Sequence, residues 1–259
     1  MSHFFNLKFH AFKRAKKKHY VKYHVNASLT KRKDILEILQ RDGLYVQPNF
    51  LSPEIVQAIK NEVESSLIDL QKGTYQGDKK NARFEDYGVY RLMQIDEVSP
   101  ASKYFFENEM INEIAKAYVS PLVKSYQRMV ELKPEPGKKS IADDFHFDDW
   151  RHRFKAFVYL TDVNEKNAPF VYVKKSHNAS EAWRINKEFE YYRDGKKGTY
   201  GYYKDSEIEE ILKNNNYEKV ICAAPAGTLI LTDTRGLHRG TALEEGRRLI
   251  MGNFFDVRE

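Results

Sequence analysis

The sequence predicts a mainly β fold with helices packed outside it (α+β), built as a sandwich or barrel. Three observations carry that expectation. Six short segments from residue 125 onward are rich in Val, Ile, Tyr and Phe; turn signals such as Pro134-Glu135-Pro136-Gly137, Asn167-Ala168-Pro169 and Pro225-Ala226-Gly227 separate them; and helical patterns precede them. No internal repeat or Gly/Ser linker interrupts the chain.

Taken in order, residues 33–40 read as a helix with Ile35, Leu36 and Leu39 on one face. Arg41-Asp42-Gly43 stops it, and residues 44–46 form a short strand before Pro48. Ser52-Pro53-Glu54 opens a second helix, with Ser52 as N-cap and Pro53 at the first helical position. It runs to about Leu70, with Ile55, Ile59, Val63, Leu67 and Leu70 as the buried stripe. The strands follow at residues 125–133, 154–160, 170–173, 219–222, 228–231 and 248–255. Residues 178–217 form a polar, tyrosine-dense insertion (Tyr191, Tyr192, Tyr200, Tyr202, Tyr203), whose length suits a lid or partner surface.

Composition narrows the class. With 259 residues, 41 % of them apolar and 14 % aromatic, the chain can bury a core and is not a disordered polymer. No run approaches the apolar length of a membrane-spanning helix, and the first 33 residues lack the apolar centre of a secretory leader. The single cysteine, Cys222, excludes an internal disulfide framework and a multi-thiolate zinc site; it fits a reducing, cytoplasmic setting as an inert buried thiol.

The net charge of +6 hides an asymmetry. Residues 1–33 hold ten bases and no acid, which leaves 33 bases against 37 acids, a net of −4, in the rest. Phe5, Phe9 and Phe12 lie at helical spacing among those bases. Three readings stand side by side: a solvated face with the rings on the body, peripheral membrane contact through residues 1–33, or contact with nucleic acid. The organisation expected is a basic aromatic extension over 1–40 and a domain over 41–259 carrying the insertion 178–217.

Four histidines lie in the extension; the others are His146, His152, His177 and His238. In His146-Phe147-Asp148 the imidazole and carboxylate stand at i and i+2, the same face of an extended chain, so both can meet one ion. His238 follows 92 positions later, at the end of the strand-and-turn run that begins at Gly227. Two imidazoles and a carboxylate with open positions form the facial triad of non-heme Fe(II) oxygenases. Asp149 falls on the other face, His152 and His177 read as structural or substrate-facing, and Trp150 reads as core or rim. Arg247 and Arg248 open the last strand, where a guanidinium can pair bidentately with a carboxylate beside a metal; adjacent strand residues face opposite sides, so only one points inward.

These residues resemble the phytanoyl-CoA dioxygenase-like branch of the Fe(II)/2-oxoglutarate dioxygenases. The resemblance begins at Arg41-Asp-Gly-Leu-Tyr-Val-Gln-Pro-Asn-Phe-Leu-Ser-Pro-Glu54, continues through Lys133-Pro134 and His146-Phe-Asp148-Asp-Trp150, and takes in Val158-Tyr-Leu-Thr-Asp162, Asn167-Ala-Pro-Phe-Val-Tyr-Val173, Ser176-His177 and the block from Gly227 to Phe255. It implies a double-stranded β-helix (jelly roll, cupin-like), with Fe(II) held by His146, Asp148 and His238. It also implies 2-oxoglutarate and O₂ as co-substrates, with Arg247 or Arg248 anchoring the distal carboxylate. The family's pattern of arginine, one residue, then an apolar run favours Arg247; Gln127, Tyr159 and Lys155 are further co-substrate candidates. Lys175 stands where the family often has glycine, so that turn is expected to differ.

The activity so implied is hydroxylation or a related oxidation of a small molecule, a glycan or a lipid-linked intermediate, with release of succinate and CO₂. Asp148 favours hydroxylation over halogenation, because halogenating relatives carry a small residue there. Two other functions stay open: a jelly-roll protein that binds metal or ligand without turnover, and an oxygenase acting on nucleic acid.

Overall fold

The computed structural model describes residues 25–85, 88–137, 139–148, 154–178 and 202–257. The phenylalanines of the basic extension, together with Asp149, Trp150, His152, Tyr191, Tyr192 and Tyr200, lie outside the described residues.

Two antiparallel sheets face each other. The major sheet contains β1 (Leu44–Gln47), β2 (Ala82–Glu85), β3 (Val89–Met93), β4 (Lys124–Lys133), β6 (Phe154–Tyr159), β10 (Leu229–Asp233) and β12 (Arg248–Asp256), in the order β1-β10-β6-β12-β4-β3-β2. The minor sheet contains β5 (Phe145–His146), β7 (Phe170–Val173), β8 (Tyr202–Tyr203), β9 (Lys219–Cys222) and β11 (His238–Gly240), in the order β8-β5-β11-β7-β9. Helices α1 (Lys33–Asp42), α2 (Pro53–Lys72) and α3 (Glu109–Tyr118) cover the major sheet, and α4 (Asp205–Asn215) covers the minor one. This is the jelly-roll architecture the resemblance implied.

The layers follow from strand periodicity. On β12, Leu249, Met251 and Phe255 pack toward the helices, whereas Ile250 and Phe254 turn between the sheets. On β6, Phe154, Ala156 and Val158 face the helices and Phe157 and Tyr159 face inward. Parity on these two strands therefore decides which side chains reach the space between the sheets.

Helix α1 is a core element. Its Ile35, Leu36 and Leu39 are fully buried, so the packed body begins before residue 41. Gly43 ends it at φ 75°, donating its N–H to the Leu39 carbonyl; a Cβ there would lie 2.2 Å from the Tyr172 hydroxyl, so only glycine fits. In α2, Ser52 caps the Ile55 N–H as expected, but the buried stripe is Val56, Ile59, Val63 and Leu67. Ile55 is only partly buried, because a four-residue spacing drifts about 40° per step around the helix and carries it off the contact line; Leu70, in the last turn, is also only partly buried.

Several elements escaped the sequence reading, helix α3 among them. Strands β2 and β3 form a hairpin that extends the major sheet beside β4. The described end of the insertion, residues 202–217, is structural as well: β8 pairs with β5, and Ile208 and Ile211 of α4 pack on Phe145, Phe147, Val171 and Val173. Among the described residues no helix is long and apolar enough to cross a membrane.

Candidate metal centre

The minor sheet brings three ligand-type groups together. His238 stands directly opposite His146 in the β5–β11 pairing, and their ring centroids are 4.4 Å apart. Phe145, Phe147 and Leu237 turn outward into the cluster beneath α4, so His146, Asp148 and His238 turn between the sheets. Asp148 Oδ1 lies 3.7 Å from His146 Nε2 and 3.6 Å from His238 Nε2, and the three groups offer ligand atoms within 4.8 Å of one another. The backbone holds this register, since the Asp148 N–H donates to the Thr234 carbonyl.

Tautomers are set by the chain itself. The Nδ1 of His146 donates to the Asp144 carbonyl and that of His238 to the Gly236 carbonyl, each at 2.8 Å, which turns both Nε2 atoms toward Asp148. Burial, followed by the neighbouring His238 ring, pushes His146 down to about 4, so its imidazole is neutral at pH 7. Burial acts to raise Asp148, but the Lys155 ammonium beside it outweighs that and holds the carboxyl well below its usual range. Two imidazole nitrogens and one carboxylate oxygen, all on one side, fit a divalent ion of the Fe(II) type and leave the opposite side free.

Around this centre the walls are aromatic. Phe170 lies 5.7 Å from the His238 ring and 5.6 Å from Phe157, and Phe254 meets Phe157 edge-on. Tyr202, across β8–β5 from His146, places its ring 5.5 Å from that imidazole.

The two arginines separate as strand parity requires, in the order opposite to the one the family pattern favoured. Arg247 is half-exposed and pairs with Glu64 of α2 on the outside. Arg248 is buried between the sheets, where it meets Glu131 and the Ala168 carbonyl, and its Nε has no partner. The inward guanidinium is therefore Arg248.

Glu131 also accepts from Arg91 at 2.7 Å, and nearby Lys133 donates to Asp143 at 3.0 Å. Burial raises Glu131, yet Arg91, Arg248 and Lys133 together override it and hold the carboxyl at about 2. The sequence reading missed this buried network, because β4 carries polar and charged residues along its length and nothing in the letters marks Glu131 and Lys133 as the buried ones.

The remaining candidates divide. Tyr159 is fully buried, and its hydroxyl donates to the Cys222 carbonyl and accepts the Phe170 N–H, both at 3.0 Å; it staples β6 to β7 and β9 and has no hydrogen left for a co-substrate. Gln127 lies on the inward parity of β4 with its amide donating to Met129 Sδ at 3.3 Å. Lys155 reaches the centre directly, with Nζ 2.5 Å from Asp148 Oδ2. His177 is structural, its Nε2 on the Gln40 carbonyl at 3.1 Å, and burial lifts the Cys222 thiol to about 12.

A family model described as phytanoyl-CoA dioxygenase matches residues 39–248. Among solved structures, Fe-bound EctD from S. alaskensis is similar with a TM-score of 0.64 at 16 % identity, covering 91 % of this chain and 80 % of that one. HygX from Streptomyces hygroscopicus, with nickel and 2-oxoglutarate bound, gives 0.54 at 14 %, covering 87 % and 86 %. The non-heme alpha-ketoglutarate-dependent carbocyclase SnoK from nogalamycin biosynthesis gives 0.54 at 16 %, covering 86 % and 83 %. At such identities these likenesses speak for the fold. No curated protein matches the chain.

Proposed function

The chain belongs to the phytanoyl-CoA dioxygenase family and is an Fe(II)- and 2-oxoglutarate-dependent dioxygenase, and we propose that it hydroxylates an unactivated C–H bond of a small molecule. The observation that carries the reading is the convergence of His146, Asp148 and His238 on one point between the sheets, with Arg248 turned into the same interior. Glycans and lipid-linked intermediates belong to the same substrate reading. The catalytic domain, on this reading, begins at α1.

In this assignment His146 and His238 bind Fe(II) through Nε2, held in that tautomer by the Asp144 and Gly236 carbonyls, and Asp148 supplies the third ligand and the charge. Bound iron supplies the oxidative decarboxylation of 2-oxoglutarate to succinate and CO₂ and the oxidising power for the C–H bond. Arg248 anchors the distal carboxylate, for which its unpartnered Nε–H is a free donor. Phe157, Phe170 and Phe254 line the way between and exclude water, which strengthens that charge pairing.

The test is succinate release by the full chain with Fe(II), 2-oxoglutarate and a panel of small molecules, glycans and lipid-linked sugars. Asp148→Ala and His238→Ala are each expected to lower it about a hundredfold or more while the thermal melt still shows a folded protein. Activity retained in either variant removes the ligand assignment. Metal binding without any succinate from any substrate favours a binding protein instead.

A further inference from the structure

Lys155 reaches this centre and contacts the carboxylate of Asp148. It projects from β6 on the inward parity, directly across from Thr232 of β10 and Phe254 of β12. Its Nζ sits 4.6 Å from the centroid of the Phe254 ring and 2.5 Å from Asp148 Oδ2, and its side chain is 14 % exposed. The approach to Oδ2 falls outside hydrogen-bond alignment, so the contact is one of charge. Meanwhile Oδ1 is the oxygen that faces both imidazoles, at 3.6 and 3.7 Å. The two oxygens of one carboxylate therefore face different partners: Oδ1 the imidazoles, Oδ2 an ammonium held against an aromatic face.

We propose that Lys155 is a positioning residue that ties back Asp148 Oδ2, so that Asp148 ligates through Oδ1 alone and the positions needed by 2-oxoglutarate and O₂ stay open. This rests on the ligand assignment above. A free carboxylate beside a divalent ion can close on it with both oxygens, and the second oxygen would take a place the co-substrates require. The lysine opposes that closure in two ways, by holding Oδ2 and by placing a positive charge where the ion would be drawn. The consequence has opposite signs for the two ligands: Lys155 weakens the hold on bare metal and strengthens the hold on 2-oxoglutarate.

Co(II) titration, followed by 2-oxoglutarate titration of the Co(II)-loaded full chain, reads both signs without turnover. Lys155→Met keeps the aliphatic stem against Phe254 and removes the charge. It is expected to bind Co(II) about threefold or more tighter than the parent, because a cation has left the ion's side. It is expected to bind 2-oxoglutarate about tenfold or more weaker, the scale on which partners of metal ligands act. X-ray absorption of Co(II)-loaded Lys155→Met should show a carboxylate closed on the metal with both oxygens, where the parent shows one. Lys155→Arg, which restores the cation, should return all three readings toward the parent.

Co(II) bound no more tightly by Lys155→Met overturns the proposal. So does weaker 2-oxoglutarate binding with a single coordinating oxygen, which makes Lys155 a direct co-substrate contact. An Asp148→Ala arm separates the two layers: Co(II) bound there as tightly as in the parent removes the ligand assignment and this inference with it, whereas Co(II) lost there with no change in Lys155→Met removes the inference alone.

Discussion

Arg247 and Arg248 are neighbours in sequence with opposite surroundings, and only a buried guanidinium can serve a buried carboxylate. Arg248→Ala is expected to raise the 2-oxoglutarate KM about tenfold or more, the loss of one charge-assisted pair, while Arg247→Ala stays within about twofold of the parent. Initial rates of succinate release at varied 2-oxoglutarate check it, and the reverse ranking would return the anchor to Arg247. The choice was illegible in the sequence for a physical reason. Residues 248–252 of β12 are buried on both faces, so no polar alternation marks which parity faces inward. His146 and Asp148 were legible because i and i+2 share a face wherever the chain is extended.

At the scale of elements, the turn after β7 shows how a local departure is absorbed. Lys175 adopts φ 70°, the left-handed conformation in which glycine is at ease, so the turn is kept although its residue is unusual. The Lys175 N–H donates to the Asp42 carbonyl at 3.0 Å, and Ser176 Oγ accepts the Leu237 N–H at 2.8 Å, one residue before His238. The turn thus ties α1 and the start of β11 to the metal-facing strand. Lys175→Gly relieves the strained backbone and is expected to stabilise the protein by about 1 kcal/mol, raising Tm by about 2–4 °C. A calorimetric melt checks it, and a lower Tm would show that the lysine side chain contributes more than its backbone costs. Helices α1 and α2 were legible from periodicity and caps. The β2–β3 hairpin was not, because Ala82–Glu85 is short, half polar and carries little β signal before it meets its neighbours.

Across the whole molecule, the interior between the sheets carries charge that only pairing makes tolerable. Glu131 is held at about 2 against its ordinary 4.5, so the unfolded chain takes up the proton first as pH falls. The stability this carboxylate contributes is full above about pH 4.5 and is lost as pH drops toward about 2, a change of about 3 kcal/mol. Glu131→Gln should cost about 3–5 kcal/mol at neutral pH, because Arg91 and Arg248 lose their shared counterion. The gap between variant and parent in urea midpoints should then narrow as pH is lowered below 4.5; a constant gap would mean that the carboxylate's charge is not what stabilises the fold.

By itself the sequence determined the local grammar: where helices begin and end, that strands follow, and which His-x-Asp pair and later histidine have the chemistry to share an ion. Those are properties of spacing along one chain, and spacing is what a sequence records. Only the tertiary structure decided which arginine turns inward, that the Tyr159 hydroxyl is consumed by the backbone, and that Lys155 and Asp148 meet. Each of those depends on how two buried faces register across separate strands, and a side chain buried on either face leaves the same letters in the sequence.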